Sequence, residues 1–133
     1  MDSYFSVNDA NQILPSVIKK FNHAKKMKGD VMKIEQQLTS GATSAASLDE
    51  YAMIKRKLNS LVTKFYQSIE DLENTGVVLK GLDEGLLDFP AKRFDEEIWL
   101  CWKEGETEIK FWHEKDSGFM GRKPISVSNE SLV

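Results

Sequence analysis

Several features that carry function in other proteins are scarce or missing in this sequence. It has one cysteine, Cys101, which excludes an intramolecular disulfide and fits a reducing compartment. No apolar run approaches the roughly 20 residues of a membrane-spanning helix, and residues 1–4 lack the basic and apolar regions of a secretory signal. Glycine-rich phosphate loops, Gly-x-Ser-x-Gly turns and CxxC or HExxH spacings are also missing. We therefore expect a cytoplasmic protein that has no membrane span and binds no cofactor. The common catalytic sequence motifs are absent.

What is present fits one small domain. The chain has 133 residues, of which 41% are hydrophobic, and this is enough to bury a core without disulfides. Its net charge of -3 is unevenly spread, because residues 1–66 carry ten Lys/Arg against six Asp/Glu and residues 67–133 carry eight against fifteen. Such a division indicates a polyanion partner, self-association in complementary orientation, or two solvated faces.

The first half of the chain has the pattern of two long helices. Apolar residues recur at steps of three and four between Leu14 and Leu38 and again between Tyr51 and Leu72. Ser6 is a suitable N-cap, and residues 47–50 form a capping box for the second helix. Pro15 removes a backbone donor, so we expect a short first helix, a bend at residues 14–15 and then the long segment. The short connection at residues 41–46 predicts an antiparallel helical hairpin within residues 4–76.

After Gly76 the apolar period changes to two, which is typical of strands. We predict an antiparallel β-meander of about four strands over residues 77–113, a covering segment at 114–125 and a disordered tail at 126–133. The predicted fold class is α+β, with residues 1–125 as a single domain. In it, the open end of the long antiparallel helical hairpin packs on the small meander.

Cys101 and His113 suggest a metal site, and the predicted strand register tests that idea. If Gly105-Glu106 is a two-residue hairpin loop, Ile98 lies opposite His113 and Trp99 lies opposite Trp112. Successive side chains alternate between faces, so Cys101 and His113 then point to opposite sides of the sheet. We therefore predict no metal site, although a one-residue bulge would reverse this conclusion.

One face of the predicted sheet carries an unusual apolar set. Trp99, Cys101 and Trp112 share it, opposite the face that packs on the helices. An exposed patch of this kind needs a cover. Either the segment through Phe119 folds over it or a second copy of the chain does, and we favour a homodimer.

The end of the last predicted strand carries the best polar cluster. His113 is followed by Glu114 and Asp116, and we expect Arg93 and Arg122 nearby. These residues could bind a small anionic ligand, or His113 could act as an acid or base oriented by a carboxylate. The alternative is that they tie down the chain by hydrogen bonds and ion pairs. His23 lies off the helical stripe and is expected at the surface.

Three stretches resemble a known family. They are Tyr4–Val7 with Ala10-Asn11 and Leu14-Pro15, Gly76-Val77 with Asp83–Ala91, and Leu100–Lys103 with Trp112–Glu114 and Gly121-Arg122. Together they are similar to the domain-of-unknown-function family 2203, small proteins of archaea and bacteria. Asp95-Glu96 stands where we expect an Asp-Gly turn in relatives, which implies a longer hairpin loop here. The resemblance implies a single domain and brings no activity with it.

Three functions remain open at this point, and the sequence leaves undecided whether the protein is an enzyme. The first is a non-enzymatic interaction or assembly module that acts as a homodimer. The second is a small-anion or metabolite-binding protein, or an enzyme, that uses the cluster around His113. The third is weak nucleic-acid binding, which we consider unlikely because the basic residues spread around the helices without interleaved aromatics. Those residues are Lys19, Lys20, Lys25, Lys26, Lys28, Lys55, Arg56 and Lys57.

Overall fold

The computed structural model describes residues 3–40 and 48–125 and confirms the α+β class. The described parts of Met1–Lys19 and Leu72–Val133 form one compact unit, and Lys20–Asp71 forms another. The helices are α1 (Val7–Thr39) and α2 (Leu48–Glu73), and the strands are β1 (Val78–Gly81), β2 (Leu86–Arg93), β3 (Glu96–Lys103), β4 (Phe111–Glu114) and β5 (Lys123–Pro124). The predicted connection at 41–46, the residue Ser47 of the capping box and the tail at 126–133 lie outside the described residues. The single-domain boundary stays a prediction.

The unit Lys20–Asp71 consists of two long helices packed against each other. Phe21, Ala24, Met27 and Ile34 are buried along α1 at the spacing of one helical stripe. The predicted apolar pattern therefore identifies the packed face of this helix. Neither of the two described helices is long and apolar enough to cross a membrane.

The start of α1 confirms the predicted cap but not the predicted bend. The Ser6 hydroxyl accepts the Asp9 amide hydrogen at 3.0 Å, and the Asp9 carboxylate accepts the Ser6 amide hydrogen at 3.4 Å. Helix α1 then runs without interruption from Val7 to Thr39 with Pro15 inside it. Pro15 is exposed, so its ring meets solvent rather than the core. The prediction of a separate short first helix was therefore wrong, and a bend at residues 14–15 stays a prediction.

The sheet is an antiparallel meander with strands in the order β1-β2-β3-β4-β5. The fifth strand was not predicted and pairs Lys123–Pro124 with Phe111–Trp112. The inner face of the sheet is apolar along most of the two central strands, with Leu87, Phe89, Ala91, Ile98, Leu100 and Trp102 buried. The Phe5 ring meets the Phe89 ring edge-on at 5.3 Å. Together with buried Leu14 and Val17 of α1, these side chains form the core of this unit.

The register of β3 with β4 differs by one residue from the predicted one. Trp99 lies opposite His113, Leu100 opposite Trp112 and Cys101 opposite Phe111. Because side chains alternate, Cys101 and His113 share the outer face and Trp112 belongs to the inner face. The predictions that Cys101 and His113 lie on opposite faces, and that Trp112 shares a face with Trp99 and Cys101, were therefore wrong.

Glu106 is the physical reason for the shift. Its carbonyl oxygen accepts the indole hydrogen of Trp102 at 2.8 Å, and its carboxylate accepts the Lys103 amide hydrogen at 2.7 Å. The same carboxylate pairs with the Arg122 guanidinium at 2.7 and 2.8 Å. Glu106 therefore folds back onto β3 and the end of the chain. The connection lengthens to residues 104–110, in place of a two-residue loop.

The β2–β3 turn is shorter than the resemblance implied. Arg93 pairs with Glu96, so the loop has only two residues, Phe94 and Asp95. Both have positive φ, 51° and 66°, a region that favours Asn and Gly. The connection is thus a two-residue hairpin turn. Phe94 and Asp95 are poorly suited to its positive φ angles.

We expect Phe94→Asn combined with Asp95→Gly to raise the free energy of unfolding by about 0.5–1 kcal/mol, because Asn-Gly adopts these angles with less strain. Phe94 is 72% exposed, so little burial is lost. Urea unfolding measures the change. Gly105→Ala is the converse control, since φ there is +103° with no atom within 4 Å of an added Cβ, and it should lower stability. An unfolding midpoint unchanged or lowered by the double substitution would contradict the assignment of turn strain.

Candidate metal centre on the outer sheet face

Three neighbouring strands bring three side chains together on the outer face of the sheet. Asp88 of β2 lies directly opposite Cys101 of β3, and His113 of β4 lies next to Cys101 on the diagonal. One ligand atom from each, a carboxylate oxygen, the thiol sulfur and an imidazole nitrogen, lies within 4.8 Å of the others. All three residues are at most 3% exposed. Within residues 3–40 and 48–125, no other group of three or more His, Cys, Asp or Glu meets this geometry.

The His113 ring is fixed at both nitrogens. Nδ1 lies 2.8 Å from the backbone carbonyl oxygen of Glu114, and Nε2 lies 3.1 and 3.2 Å from the two carboxylate oxygens of Asp88. A carbonyl oxygen only accepts hydrogen bonds, so Nδ1 carries a proton and donates it. Nε2 then faces a carboxylate, which requires a positive centre between the two groups. That centre is either a shared proton or a metal ion.

Burial outweighs the nearby positive charges at both acidic groups of this cluster. Burial raises the pKa of the Asp88 carboxyl group above its ordinary value, opposed chiefly by the attraction of His113. Burial also raises the pKa of the Cys101 thiol to about 12, and the negative charge of Asp88 adds to the effect. Two acids held side by side in this way are stabilised in their charged forms only by a nearby cation.

The cluster faces a cavity of about 220 Å³. Besides the three cluster residues, it is lined by Lys80, Leu86, Ser117, Gly118 and Phe119. The site therefore combines polar ligand atoms at its base with mainly apolar walls. This is the usual composition of a small-ligand pocket.

The wall at Phe119 is held in place by Arg122. The Arg122 guanidinium lies 4.0 Å from the Phe111 ring centroid and 4.7 Å from the Phe119 ring centroid, so it is stacked between the two. Its bond to Glu106 fixes the other end of the same contact. The arginine that pairs with Glu106 thus also contacts one wall of the cavity.

Of the five residues predicted to form a ligand-binding cluster, only His113 lines the cavity. The Arg93 guanidinium lies 4.8 Å from the inner-face Trp112 ring, Glu114 pairs with Lys123, and Asp116 is exposed. Arg122 pairs with Glu106. Arg93, Glu114 and Arg122 therefore contact other side chains of the protein. A ligand-binding role for each of them stays a prediction.

Sequence reasoning missed Asp88. A signal was present, since this carboxylate interrupts the apolar stretch Leu86–Pro90 in the middle of a strand. A charged residue at such a position is buried only when it is paired or coordinates a metal.

We expect the Cys101 thiol of the folded protein to react with iodoacetamide at pH 8 at least roughly a thousandfold more slowly than the thiol of the unfolded chain. The reason is that a pKa of about 12 in place of 9.0 leaves correspondingly less thiolate. Rates are compared with and without denaturant in the presence of EDTA. A native rate within tenfold of the unfolded rate would contradict the burial of this thiol.

A family model described as an uncharacterised conserved protein, DUF2203, matches residues 3–125. The match includes all three cluster residues and both compact units. No curated protein and no solved structure matches the chain. On this match over nearly its whole length, the chain belongs to the family DUF2203.

Proposed function

We propose that this protein binds a divalent transition-metal ion of the zinc class through Asp88, Cys101 and His113. The observation that carries the proposal is the convergence of an oxygen, a sulfur and a nitrogen ligand within 4.8 Å of one another, buried at the base of a cavity. Ligands of a tetrahedral zinc ion lie roughly 3.3–3.5 Å apart, as follows from zinc–ligand bonds of about 2.0–2.3 Å. The separation of 3.1 Å between His113 and Asp88 is already close to that value.

The orientation of His113 supports this function. A histidine that binds a metal through one ring nitrogen usually donates the N–H of its other ring nitrogen to a carbonyl or carboxylate oxygen. This hydrogen bond fixes the tautomer and directs the unprotonated nitrogen at the ion. The hydrogen bond from Nδ1 to the Glu114 carbonyl provides this arrangement and leaves Nε2 as the ligand. His113 thus needs no reorientation to coordinate an ion.

Charge balance also supports it. A Cys101 thiolate, an Asp88 carboxylate and a neutral His113 carry two negative charges, which one divalent ion neutralises. The thiolate favours zinc, cobalt or iron over magnesium or calcium, which prefer oxygen ligands. Three protein ligands leave a fourth coordination position for a non-protein ligand, as in catalytic zinc sites.

We expect tag-free protein stripped with EDTA to bind one Zn²⁺ or Co²⁺ ion per chain. The Co²⁺ form should show a thiolate-to-cobalt charge-transfer band in the ultraviolet, because Cys101 is a ligand. His113→Gln and Asp88→Asn should weaken Zn²⁺ binding by at least about tenfold, since even outer-shell changes cost about 10–100-fold. Competition with a chromophoric chelator measures the affinities.

The matched controls are His23→Gln and Asp116→Asn. They make the same chemical changes at exposed positions, so metal affinity should not change. Folded protein that binds no Zn²⁺ and shows no charge-transfer band with Co²⁺ would overturn the proposal. The Asp88–His113 pair would then be a structural element that shares a proton.

Self-association is the second candidate, and the helical unit is its favoured surface. The outer sheet face suits a dimer less well than the sequence suggested, because Trp99 and Cys101 are already buried within the chain. In contrast, Leu48 is 87% exposed and Tyr51 is 43% exposed three residues apart on α2, and neighbouring exposed apolar side chains of this kind are typical of contact surfaces. Nucleic-acid binding by the basic helices stays a prediction.

We expect sedimentation equilibrium to give a dimer mass that falls to the monomer mass in Leu48→Lys combined with Tyr51→Lys. The reason is that two buried ammonium groups would oppose an apolar interface. Met120→Lys is the control, at an exposed apolar position in the other compact unit. A monomer mass for the native protein at every concentration would rule out the dimer.

A further inference from the structure

The cavity above the cluster has only one cationic side chain in its wall. Among the described residues that line it, Lys80 alone carries a positive charge, and the rest of the wall is Leu86, Ser117, Gly118 and Phe119. Lys80 lines the same cavity as Asp88, Cys101 and His113, so its ammonium group acts on the charge of the cluster. A ligand in this space therefore meets one ammonium group and a mainly apolar surface.

We infer that the fourth coordination position of the metal takes a small organic monocarboxylate, held between the ion and the Lys80 ammonium group. This inference rests on the proposed metal-binding function. With Asp88 and Cys101 ionised, a divalent ion gives a neutral centre, and one further anion leaves a single negative charge. Lys80 balances that charge, so the site accepts a monoanion without an unpaired buried charge.

The charge and size of the cavity distinguish a carboxylate from a phosphate. A phosphate dianion would bring a second negative charge, and among the described residues no second lysine or arginine lines the cavity. The cavity volume of about 220 Å³ admits a ligand of a few carbon atoms. Leu86 and Phe119 provide apolar surface for a short alkyl chain, which fits a carboxylate better than inorganic phosphate.

Lys80 has a matched partner that makes the inference testable. Its ammonium nitrogen lies 4.3 Å from the centroid of the Trp99 ring, and the ammonium nitrogen of Lys115 lies 4.7 Å from the same centroid. Lys80 lines the cavity, whereas Lys115 lines a different hollow with Tyr4 and Glu97. The two lysines thus contact the same Trp99 ring, but only Lys80 lines the cavity that contains the cluster.

The test titrates the Co²⁺ form of the full chain with formate, acetate, propionate and butyrate at constant ionic strength set with perchlorate. The visible bands of the cobalt ion should shift on binding, since the carboxylate enters the coordination sphere. Affinity should rise by up to about fourfold for each added CH₂ that contacts Leu86 or Phe119. Phe119→Ala should reduce this increase, and Lys80→Gln should weaken acetate binding about tenfold while Lys115→Gln leaves it unchanged.

The outcomes separate this inference from the metal site itself. One outcome is that Co²⁺ binds and shows the charge-transfer band, but its visible bands do not shift with any carboxylate. This outcome would overturn the inference and leave metal binding intact. Phosphate that binds as tightly as propionate, or a Lys80→Gln variant that binds acetate as the native protein does, would also overturn it. If Co²⁺ does not bind at all, the metal site and the carboxylate site both fail.

Discussion

The contacts of Glu106 hold the β3–β4 connection of this protein against β3. Its bonds to Trp102 and Lys103 and its pair with Arg122 accompany the pairing of Cys101 with Phe111 and of Trp99 with His113. A strand that slips by one residue exchanges its two faces. In the register shifted by one residue, His113 would lie on the apolar inner face and the cluster with Asp88 and Cys101 would not exist.

The contact between Glu106 and Arg122 links the site to the end of the described chain. Arg122 is stacked between Phe111 and Phe119, so the guanidinium group that closes the loop also fixes a wall of the cavity. At 12% exposure for its side chain, this arginine is well shielded from solvent, and its pair with Glu106 is correspondingly less screened than a surface ion pair. The β3–β4 connection, Arg122 and the cavity wall at Phe119 are therefore joined by direct contacts.

The buried cluster runs against the general tendency of a β-sheet core. Asp88, Cys101 and His113 are as buried as the apolar side chains around them, and burial raises the pKa values of both acids. A hydrophobic replacement would pack without this electrostatic cost. The arrangement is therefore better understood as a site than as a packing solution, which is why its chemistry, rather than its contribution to stability, supports the function proposed here.

The sequence alone determined the two helices, the meander and the cap at Ser6, because these depend on periodicity and on contacts within a few residues. It also singled out Cys101 and His113. Only the tertiary structure decided that they share a face, since the register accompanies the contact of Glu106 with Arg122, which are 16 residues apart. Asp88 entered the site for the same reason: it is 25 residues from His113, and only strand pairing brings the two together. Local patterns fix elements, whereas long-range ion pairs and strand pairing fix which side chains become a site.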